Sequence, residues 1–390
     1  MFHFPYGENP MSIDHSTRTQ LIDSLEKFVR ERLIPLEAIV EKEDRIPSDV
    51  VEEMKTMGLF GLSIPEEYGG LGFNMLDDVT VNIIFGHTTP PFSTIFGTNI
   101  GIGAQGIVID GTEDQKKKYL PQMASGQIIS AFALTEPGSG SDAASLKTTA
   151  IKDGSHYVLN GTKRYITNAP EAGIFTVMAR SDPKTPGSAG ISAFIVERDS
   201  PGLSIGKCDV KMGQQGTHTA DVIFDDCRVP IENRIGDEGQ GFKTAMKVLD
   251  RGRLRIAGMS VGAAERLIEE CVVYAKERIQ FSKPLAEFQL IQAMLADSQA
   301  ETYAARCMLI DAATRRDNGQ VITMEAASTK MFASEMVGRV ADRAVQLFGG
   351  AGYMSDYPIE RFYRGVRLFR IYEGTTQIQQ IIIAREMLKN

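Results

Sequence analysis

The run Tyr157-Val-Leu-Asn-Gly-Thr-Lys-Arg-Tyr165 marks the point where the helical character of this chain gives way to strands. It places Asn160-Gly161 between two β-prone halves, and because that dipeptide tolerates the positive φ angles of a type I′ turn, the run predicts a hairpin. Further β-rich runs follow at residues 173–180, 191–196 and 221–224, separated by proline and glycine loops rather than by long amphipathic helices. This pattern predicts an antiparallel sheet or barrel over residues 125–237.

Helical patterns lie on both sides of this β-region. In residues 1–124, apolar side chains such as Leu21 and Leu25 recur at helical spacing, with charged residues between them. The C-terminal part contains four long helical patterns, near residues 240–280, 286–318, 323–348 and 374–388. The sequence therefore predicts an α+β multidomain protein with an N-terminal α-helical domain (1–124), a central antiparallel β domain (125–237) and a C-terminal four-helix bundle (238–390).

Length and composition set the broad class. The chain has 390 residues, of which 43% are hydrophobic and 24% are charged, enough for two or three domains with a large core. This apolar content excludes an intrinsically disordered chain. The 42 basic and 50 acidic residues give a net charge of −8, which argues against a protein whose whole surface binds nucleic acid or an anionic membrane.

Location and metal content are also predicted from the sequence. Residues 1–16 lack a basic region followed by an apolar one, and the longest nearly apolar stretch is about ten residues, short of the ~18 that span a bilayer. We therefore expect a soluble cytoplasmic protein, or a mitochondrial matrix protein in a eukaryote, with no membrane or nucleic-acid partner. The 4 cysteines are too scattered for a disulfide framework, and the 5 histidines show no paired ligand spacing, so no metal site is expected.

One motif matches a serine hydrolase. Gly258-Met-Ser260-Val-Gly262 has the pattern of a nucleophile elbow, which requires a preceding strand and a strained turn beneath the serine. The residues before it carry helical spacing instead. Small residues on a tightly packed helix explain the motif better, although Ser260 stays open as a nucleophile.

Three glycine-containing strings allow both a structural and a chemical interpretation. Leu134-Thr-Glu-Pro-Gly-Ser-Gly-Ser-Asp142 is an ordinary polar loop or an anion-binding loop, because its glycines let backbone N–H groups approach a ligand. Gln346-Leu-Phe-Gly-Gly-Ala-Gly-Tyr353 ends a helix with residues typical of a C-cap. In Ile371-Tyr-Glu-Gly-Thr-Thr-Gln377, Glu373 is either a solvated acid at a helix start or a functional carboxylate.

Taken together and in order, these strings resemble the acyl-CoA dehydrogenase family. The resemblance runs from Phe28 to the C-terminus and also includes Ile64-Pro-Glu-Glu-Tyr-Gly-Gly70 and Tyr165-Ile-Thr-Asn168. It implies FAD between the central and C-terminal domains, and a homotetramer in which subunits share the cofactor sites. The flavin-binding residues that it implies on one subunit are Phe132, Leu134, Thr135, Gly140, Ser141, Tyr165, Ile166, Thr167, Thr375 and Gln377. Those implied to reach the FAD of a neighbouring subunit are Arg278, Phe281, Gln289, Gln346, Phe348, Gly349 and Gly350.

The resemblance also assigns the chemistry. Glu373 matches the catalytic base of the short- and medium-chain enzymes, whereas the position that serves as base in another subset of the family is Gly252 here. A glutamate desolvated beside the substrate becomes a stronger base. The implied substrate-binding residues are Ser141, Thr217, Asp250, Arg253 and Gly374, and small residues at Thr98, Gly101 and Gly103 leave either a roomy acyl pocket or close helix packing.

The implied reaction is α,β-dehydrogenation of an acyl-CoA thioester to the trans-2-enoyl-CoA, in which Glu373 takes the Cα proton and the Cβ hydride passes to FAD. An electron-transfer flavoprotein is the implied electron acceptor, reached past Tyr165, where many members carry tryptophan. Fatty acid metabolism is the implied role. An acyl-CoA oxidase that uses oxygen on the same fold is the alternative, and the length of the chain favours the dehydrogenase.

Overall fold

The computed structural model describes residues 15–389, so the part of the localisation prediction that rests on residues 1–14 lies outside it. Among these described residues, seven α-helices precede the sheet: α1 (His15–Phe28), α2 (Glu37–Glu43), α3 (Ser48–Thr56), α4 (Met75–Gly86), α5 (Pro91–Thr98), α6 (Gln105–Asp110) and α7 (Glu113–Ala124). A capping box begins α7, because Thr112 Oγ1 accepts from Gln115 N (3.2 Å) while Gln115 Oε1 accepts from Thr112 N (3.0 Å).

The central domain is one eight-stranded sheet. Its strands are β1 (Ser130–Ala133), β2 (Thr149–Asp153), β3 (His156–Thr167), β4 (Ile174–Arg180), β5 (Ile191–Glu197), β6 (Leu203–Ile205), β7 (Thr219–Pro230) and β8 (Arg234–Ile235). The order is β6-β7-β3-β2-β4-β5-β8, and β1 pairs with β4. Most pairs are antiparallel as predicted, but β1 runs parallel to β4, and β2 has one parallel bridge to β4.

The hairpin predicted at Asn160-Gly161 is wrong. Both residues lie inside β3, and the chain turns instead at Gly154, where φ is +57°, between β2 and β3. The register against β7 shifts between Leu159 and Gly161, which marks a β-bulge. A Cβ on Gly161 would lie 2.8 Å from the Cα of Thr148, so the glycine is required for close backbone approach rather than for a turn.

The C-terminal domain consists of α8 (Gly241–Glu277), α9 (Gln289–Asp317), α10 (Thr323–Phe348), α11 (Ile359–Val366) and α12 (Thr376–Met387). A short hairpin of β9 (Ile279–Gln280) and β10 (Lys283–Pro284) joins α8 to α9. The four long helices match the predicted ones, and α11 is an addition that the sequence analysis missed. One apolar core runs through this bundle into the N-terminal helices, because α8 packs against α4 as well as α9 and α10.

The interface between α8 and α4 rules out the hydrolase interpretation of Ser260. That serine lies in the middle of α8, fully buried, and its hydroxyl donates to the Ile256 carbonyl (2.8 Å). Cβ atoms on Gly258 and Gly262 would meet the α4 backbone at 3.1 and 1.9 Å. The small residues therefore serve helix packing, which confirms the favoured prediction and excludes the alternative of a nucleophile elbow.

One further stretch bears on location. Pro91–Asp110 is 20 residues long and apolar enough to pass a length-and-composition test for a membrane span, but 67% of its apolar window is buried inside the protein. Its helix is interrupted at Gly101, which has non-helical φ and ψ. The stretch is thus built into the core between α4, α8 and the sheet, and it forms one wall of the site described next.

Candidate active site

Two cavities meet at Glu373. The larger, about 480 Å³, lies between the ends of β1 and β3, the first part of α8, and α12. The smaller, about 90 Å³, lies between α4, α5 and α8. The residues that line both are Thr98, Ile102, Thr167, Tyr372 and Glu373. The Glu373 side chain therefore lies next to a ligand bound in either cavity.

The backbone around Glu373 is held in an uncommon conformation. Its φ is +55°, and Gly374 follows at +88°, in the left-handed region that costs a glutamate about 1–3 kcal/mol. The Gln379 amide donates to both the Glu373 and the Gly374 carbonyls (3.0 Å each), and Lys330 Nζ donates to the Gly374 carbonyl (2.7 Å). These bonds hold the turn, and Thr375 then caps α12 by accepting from Ile378 N (3.2 Å).

The Oε2 atom of Glu373 is buried and has no hydrogen-bond partner among residues 15–389. Burial raises the pKa of Glu373 to about 7, and the positive charges of Arg253, Lys330 and Arg255 oppose that rise. Burial likewise lowers the pKa of Lys330 to about 8. A carboxylate with a pKa near 7 accepts a proton readily and still exists in its basic form at neutral pH.

Gly252 faces this carboxylate from α8. A Cβ at Gly252 would lie 2.6 Å from Glu373 Oε2, so any larger residue would displace the carboxylate. Glu373 and Gly252, the position that the family resemblance implies as an alternative base, therefore approach the same point, and of the two only Glu373 carries a carboxyl group.

The larger cavity fits a flavin. Its volume is within the range of cofactor sites, and its lining includes eight of the residues predicted for FAD. Those eight are Phe132, Leu134, Thr135, Gly140, Ser141, Tyr165, Ile166 and Thr167. Added Cβ atoms on Gly138 and Gly140 would meet nothing within 4 Å, so the backbone of this loop is open to a ligand. The lining of this cavity combines hydroxyl and backbone groups with aromatic side chains such as Phe132 and Tyr165. This combination suits a flat ring system with a polar edge.

A buried ion pair supports that loop from behind. Lys163 is fully buried, and its Nζ donates to Glu136 Oε1 (2.8 Å) and the Leu134 carbonyl (3.1 Å). The Glu136 carboxylate also accepts from the backbone N–H groups of Lys147 (2.6 Å) and Thr148 (2.9 Å). Glu136 therefore has a structural role in the loop of residues 134–142. The sequence analysis did not distinguish it from the residues of this loop that face the cavity.

A second group of predicted FAD residues lines neither cavity. Arg278, Phe281, Gln289, Gln346, Phe348, Gly349 and Gly350 lie around the β9–β10 hairpin and the C-terminus of α10. The Phe281 side chain is 90% exposed at the hairpin turn. Phe348 instead stacks on Tyr274, with ring centroids 4.0 Å apart. Their predicted contact with a neighbouring subunit's FAD stays a prediction.

The remaining predicted residues divide in the same way. Ser141, Arg253 and Gly374 line the larger cavity, whereas Thr375, Gln377, Thr217 and Asp250 line neither cavity. Asp250 accepts a hydrogen bond from Arg253 and so holds that cation in place. Thr217 is buried, and its hydroxyl has no hydrogen-bond partner within the described part of the chain; its predicted contact with substrate stays a prediction.

Sequence reasoning missed two charged residues of the site, Lys330 and Arg255. Lys330 is fully buried on α10 among small residues, Ala326, Ala327, Ala333 and Ser334. A lysine on the small-residue face of an amphipathic helix was the available signal. Arg255 lines the smaller cavity from α8 and is 6% exposed.

Comparison with known proteins accounts for this architecture. Three family models match in order: the acyl-CoA dehydrogenase N-terminal domain (residues 15–127), middle domain (131–227) and C-terminal domain (239–388). An acryloyl-CoA reductase (NADH) of Anaerotignum propionicum is 44% identical over 379 residues, covering 96% of this chain and 95% of that protein. The caffeyl-CoA reductase-Etf complex subunit CarC of Acetobacterium woodii is 40% identical, covering 96% of this chain and 99% of that protein.

A solved structure agrees with the models. The acyl-CoA dehydrogenase of Bacillus anthracis complexed with FAD superposes with a TM-score of 0.89 at 36% identity, covering 98% of this chain and 68% of that chain. The fold and the cofactor thus agree, and this similarity to an FAD-complexed acyl-CoA dehydrogenase supports the dehydrogenase interpretation over the oxidase. The chain belongs to the acyl-CoA dehydrogenase family of FAD-dependent enzymes.

Proposed function

We propose that Glu373 is the base of an acyl-CoA dehydrogenase reaction in which the acyl group occupies the smaller cavity and the flavin the larger. The observation that carries this assignment is the buried, unpartnered Oε2 of Glu373 at the junction of the two cavities. A rise in pKa from 4.5 to about 7 corresponds to about 3 kcal/mol of extra proton affinity. Such a group removes a weakly acidic Cα proton more readily than a solvated glutamate.

The protein's own groups do the remaining work. Bound FAD would supply the acceptor for the Cβ hydride. Thr135, Ser141 and the open Gly138–Gly140 backbone would hold it, with Tyr165–Thr167 along one wall. Glu373 takes the Cα proton onto a carboxylate oxygen and becomes neutral. Because neutral carboxyl groups are favoured in buried sites, proton transfer relieves the desolvation of the carboxylate. The strained turn at Glu373–Gly374 fixes the direction from which the proton is taken.

The test is anaerobic bleaching of the flavin. The purified protein is expected to be yellow and to lose its flavin absorbance on addition of butyryl-CoA without oxygen. Glu373→Gln is expected to keep the flavin and lose the bleaching. Near-full bleaching by Glu373→Gln would contradict the assignment of the base.

The reverse reaction is a second candidate. The relative from Anaerotignum propionicum is named an acryloyl-CoA reductase, and a pKa near 7 leaves Glu373 partly protonated, able to return a proton to Cα. Reduction of a 2-enoyl-CoA by a low-potential donor, faster than oxidation of the matching acyl-CoA, would identify this direction as the physiological one.

Partners and location follow as proposals. The exposed Tyr165 ring (62%) at the rim of the larger cavity supports electron exit to an electron-transfer flavoprotein, as does the relative that is a subunit of an Etf complex. The exposed Phe281 supports a homotetramer with shared sites.

All 4 cysteines are unpaired, which suits a reducing compartment such as the cytoplasm. A small acyl cavity suits a role in short-chain fatty acid metabolism.

A further inference from the structure

The end of β3 is irregular where it lines the larger cavity. The register against β7 shifts between Lys163 and Ile166, and Tyr165 within this β-bulge has a φ of +58°, in the left-handed region that side chains rarely adopt. The Arg164 backbone N–H donates to the Thr135 carbonyl (2.8 Å), so the bulge is hydrogen-bonded to a second part of the cavity lining. Backbone of this kind is costly and persists only where the surrounding structure enforces it. The conformation of Tyr165 therefore needs an explanation from its contacts.

The bulge brings two neighbouring side chains together. Successive side chains of a regular strand point to opposite faces of the sheet, so Arg164 and Tyr165 would lie apart in such a strand. Here the Arg164 guanidinium lies over the Tyr165 ring, with its Cζ 4.4 Å from the ring centroid. This distance is within the range of a cation–π contact. The left-handed backbone at Tyr165 thus places its ring against the preceding arginine.

Two carboxylates hold the guanidinium over the ring. Arg164 Nη1 donates to Asp221 Oδ1 (2.7 Å), and Arg164 Nη2 lies 2.9 Å from Asp209 Oδ1. Asp209 Oδ2 in turn accepts from the Thr219 hydroxyl (2.9 Å). Charge-assisted bonds to two carboxylates restrict the guanidinium to one orientation. The arginine is therefore a fixed support for the ring of Tyr165.

The stack of Arg164 on Tyr165 does not account for the strained backbone through stability alone. Tyr165 is 62% exposed, and a cation–π contact at an exposed site is weak. Left-handed backbone at a tyrosine costs at least as much as such a contact returns. The ring does, however, line the larger cavity together with Thr167. The arrangement therefore serves the position of the ring at the cavity rim.

We propose that Arg164 is a positioning residue that holds the Tyr165 ring beside the flavin for the step in which electrons leave the enzyme. The inference rests on the proposed function, because it assumes FAD in the larger cavity and an exit for electrons at its rim. Arg164 itself takes no proton or electron. Two electrons and one proton pass from the reduced cofactor to an external oxidant, such as an oxidised flavoprotein. Removal of the Cα proton by Glu373 is unchanged.

The first measurement is the flavin fluorescence of the oxidised holoenzyme after unbound FAD has been removed. A tyrosine ring held against a flavin quenches its emission, because an electron passes from the ring to the excited flavin. Arg164→Met is expected to lower the occupancy of the held position and so to raise the emission per bound FAD about two- to fivefold. Reoxidation by the ferrocenium ion is expected to slow by about the same factor. Anaerobic bleaching by butyryl-CoA is expected to keep its rate.

A double-mutant cycle tests whether Arg164 acts through the ring. Tyr165→Leu is expected to raise the emission at least as much as Arg164→Met does, and Arg164→Met is expected to add nothing in that background. Arg228→Met is the matched control, because Arg228 pairs with Asp153 (3.0 Å) in the same sheet and lines neither cavity. It is expected to keep the wild-type emission and reoxidation rate.

A second variant covers a failure of Arg164→Met to fold. Asp209→Asn keeps the shape of one anchor and removes its charge, so it is expected to raise the emission in the same direction. Wild-type emission from the Arg164 and Asp209 variants, or from Tyr165→Leu, would overturn this inference alone. An FAD-loaded wild type that does not bleach with any acyl-CoA would overturn the proposed function instead.

Discussion

The turn at Glu373 and the turn at Phe281 are both built on left-handed backbone, yet they differ in what surrounds them. Glu373 (φ +55°) is held by Lys330 and Gln379 from within the same chain, and its carboxylate is buried. Phe281 (φ +50°) and Ser282 (φ +64°) turn the β9–β10 hairpin, and the Phe281 ring is 90% exposed. Its ring lies near Phe288, with centroids 6.2 Å apart.

The difference separates chemistry from assembly. Everything that sets the basicity of Glu373 is present in a single chain: burial, three cations and a fixed turn. The Phe281 ring is 90% exposed, so it packs little within one chain and is free for the proposed contact with a second subunit. We therefore expect changes at the first turn to alter catalysis and changes at the second to alter cofactor retention.

The largest effect is expected from Glu373→Gln, which keeps the shape and removes the base. Because general-base catalysis contributes about 10²–10⁴-fold, turnover is expected to fall about a thousandfold or more, while bound FAD is retained. Glu386→Gln, on α12 and hydrogen-bonded to Lys389, is the control and is expected to leave turnover unchanged. Loss of flavin from Glu373→Gln would show that this turn is not separate from cofactor binding.

The pH profile tests the same carboxylate in the unmodified enzyme. The active form is the carboxylate, and the pKa of Glu373 lies at about 7, so kcat/KM is expected to rise with pH and level off above that value. Two units below it, at pH 5, kcat/KM is expected to be about 100-fold lower. The sign for stability is opposite: because the folded-state pKa is raised, the stabilisation present below pH 4.5 is lost as pH rises through about 7. A flat profile from pH 5 to 8 would contradict the assignment.

Gly252→Ala is expected to move the base without removing it. The added methyl would lie 2.6 Å from Glu373 Oε2, so the carboxylate must shift, and small misplacements of a reacting group cost up to about 100-fold. We expect a decrease in kcat of tens of fold with FAD still bound. Gly106→Ala, where the methyl meets only ordinary contacts at 3.5 Å or more, is the control for a change to alanine in a helix. Equal activities of the two variants would contradict the prediction that a methyl group at position 252 displaces the Glu373 carboxylate.

The sequence predicts the turn at Glu373 but not the buried residues that hold this turn in place. Glu373 and the loop of residues 134–142 are recognisable from the sequence, because each lies in a short string of consecutive residues that resembles a family motif. Arg255 is not, since an arginine in a helical pattern ordinarily faces water and only tertiary packing buries it, and for Lys330 the sequence offers only its position among small residues of α10. The error at Asn160-Gly161 has the same origin: the need for Gly161 comes from Thr148 across the sheet, a contact that local sequence does not contain.

Lys330 tests that hidden support. Lys330→Met removes the bond to the Gly374 carbonyl and one of the cations that lower the pKa of Glu373. We expect turnover at pH 7 to fall about tenfold, and the acidic limb of the kcat/KM profile to move to higher pH. The limb is the informative readout, because a merely structural defect would lower activity without moving it. Lys152→Met, at an exposed position on β2, is expected to leave both unchanged.

The smallest effect on turnover is expected from Phe281→Ala. The side chain is 90% exposed, so truncation is expected to change the stability of the chain by no more than about 0.5 kcal/mol and turnover of the FAD-saturated enzyme by less than about threefold. If a second subunit places its flavin against this ring, the variant must lose FAD more readily on dilution than the wild type does. Glu277→Ala, close by at the end of α8, provides the control for a truncation near the hairpin. Equal FAD retention by wild type, Phe281→Ala and control would show that the hairpin serves no cofactor, and the contrast between the two turns would then reduce to burial alone.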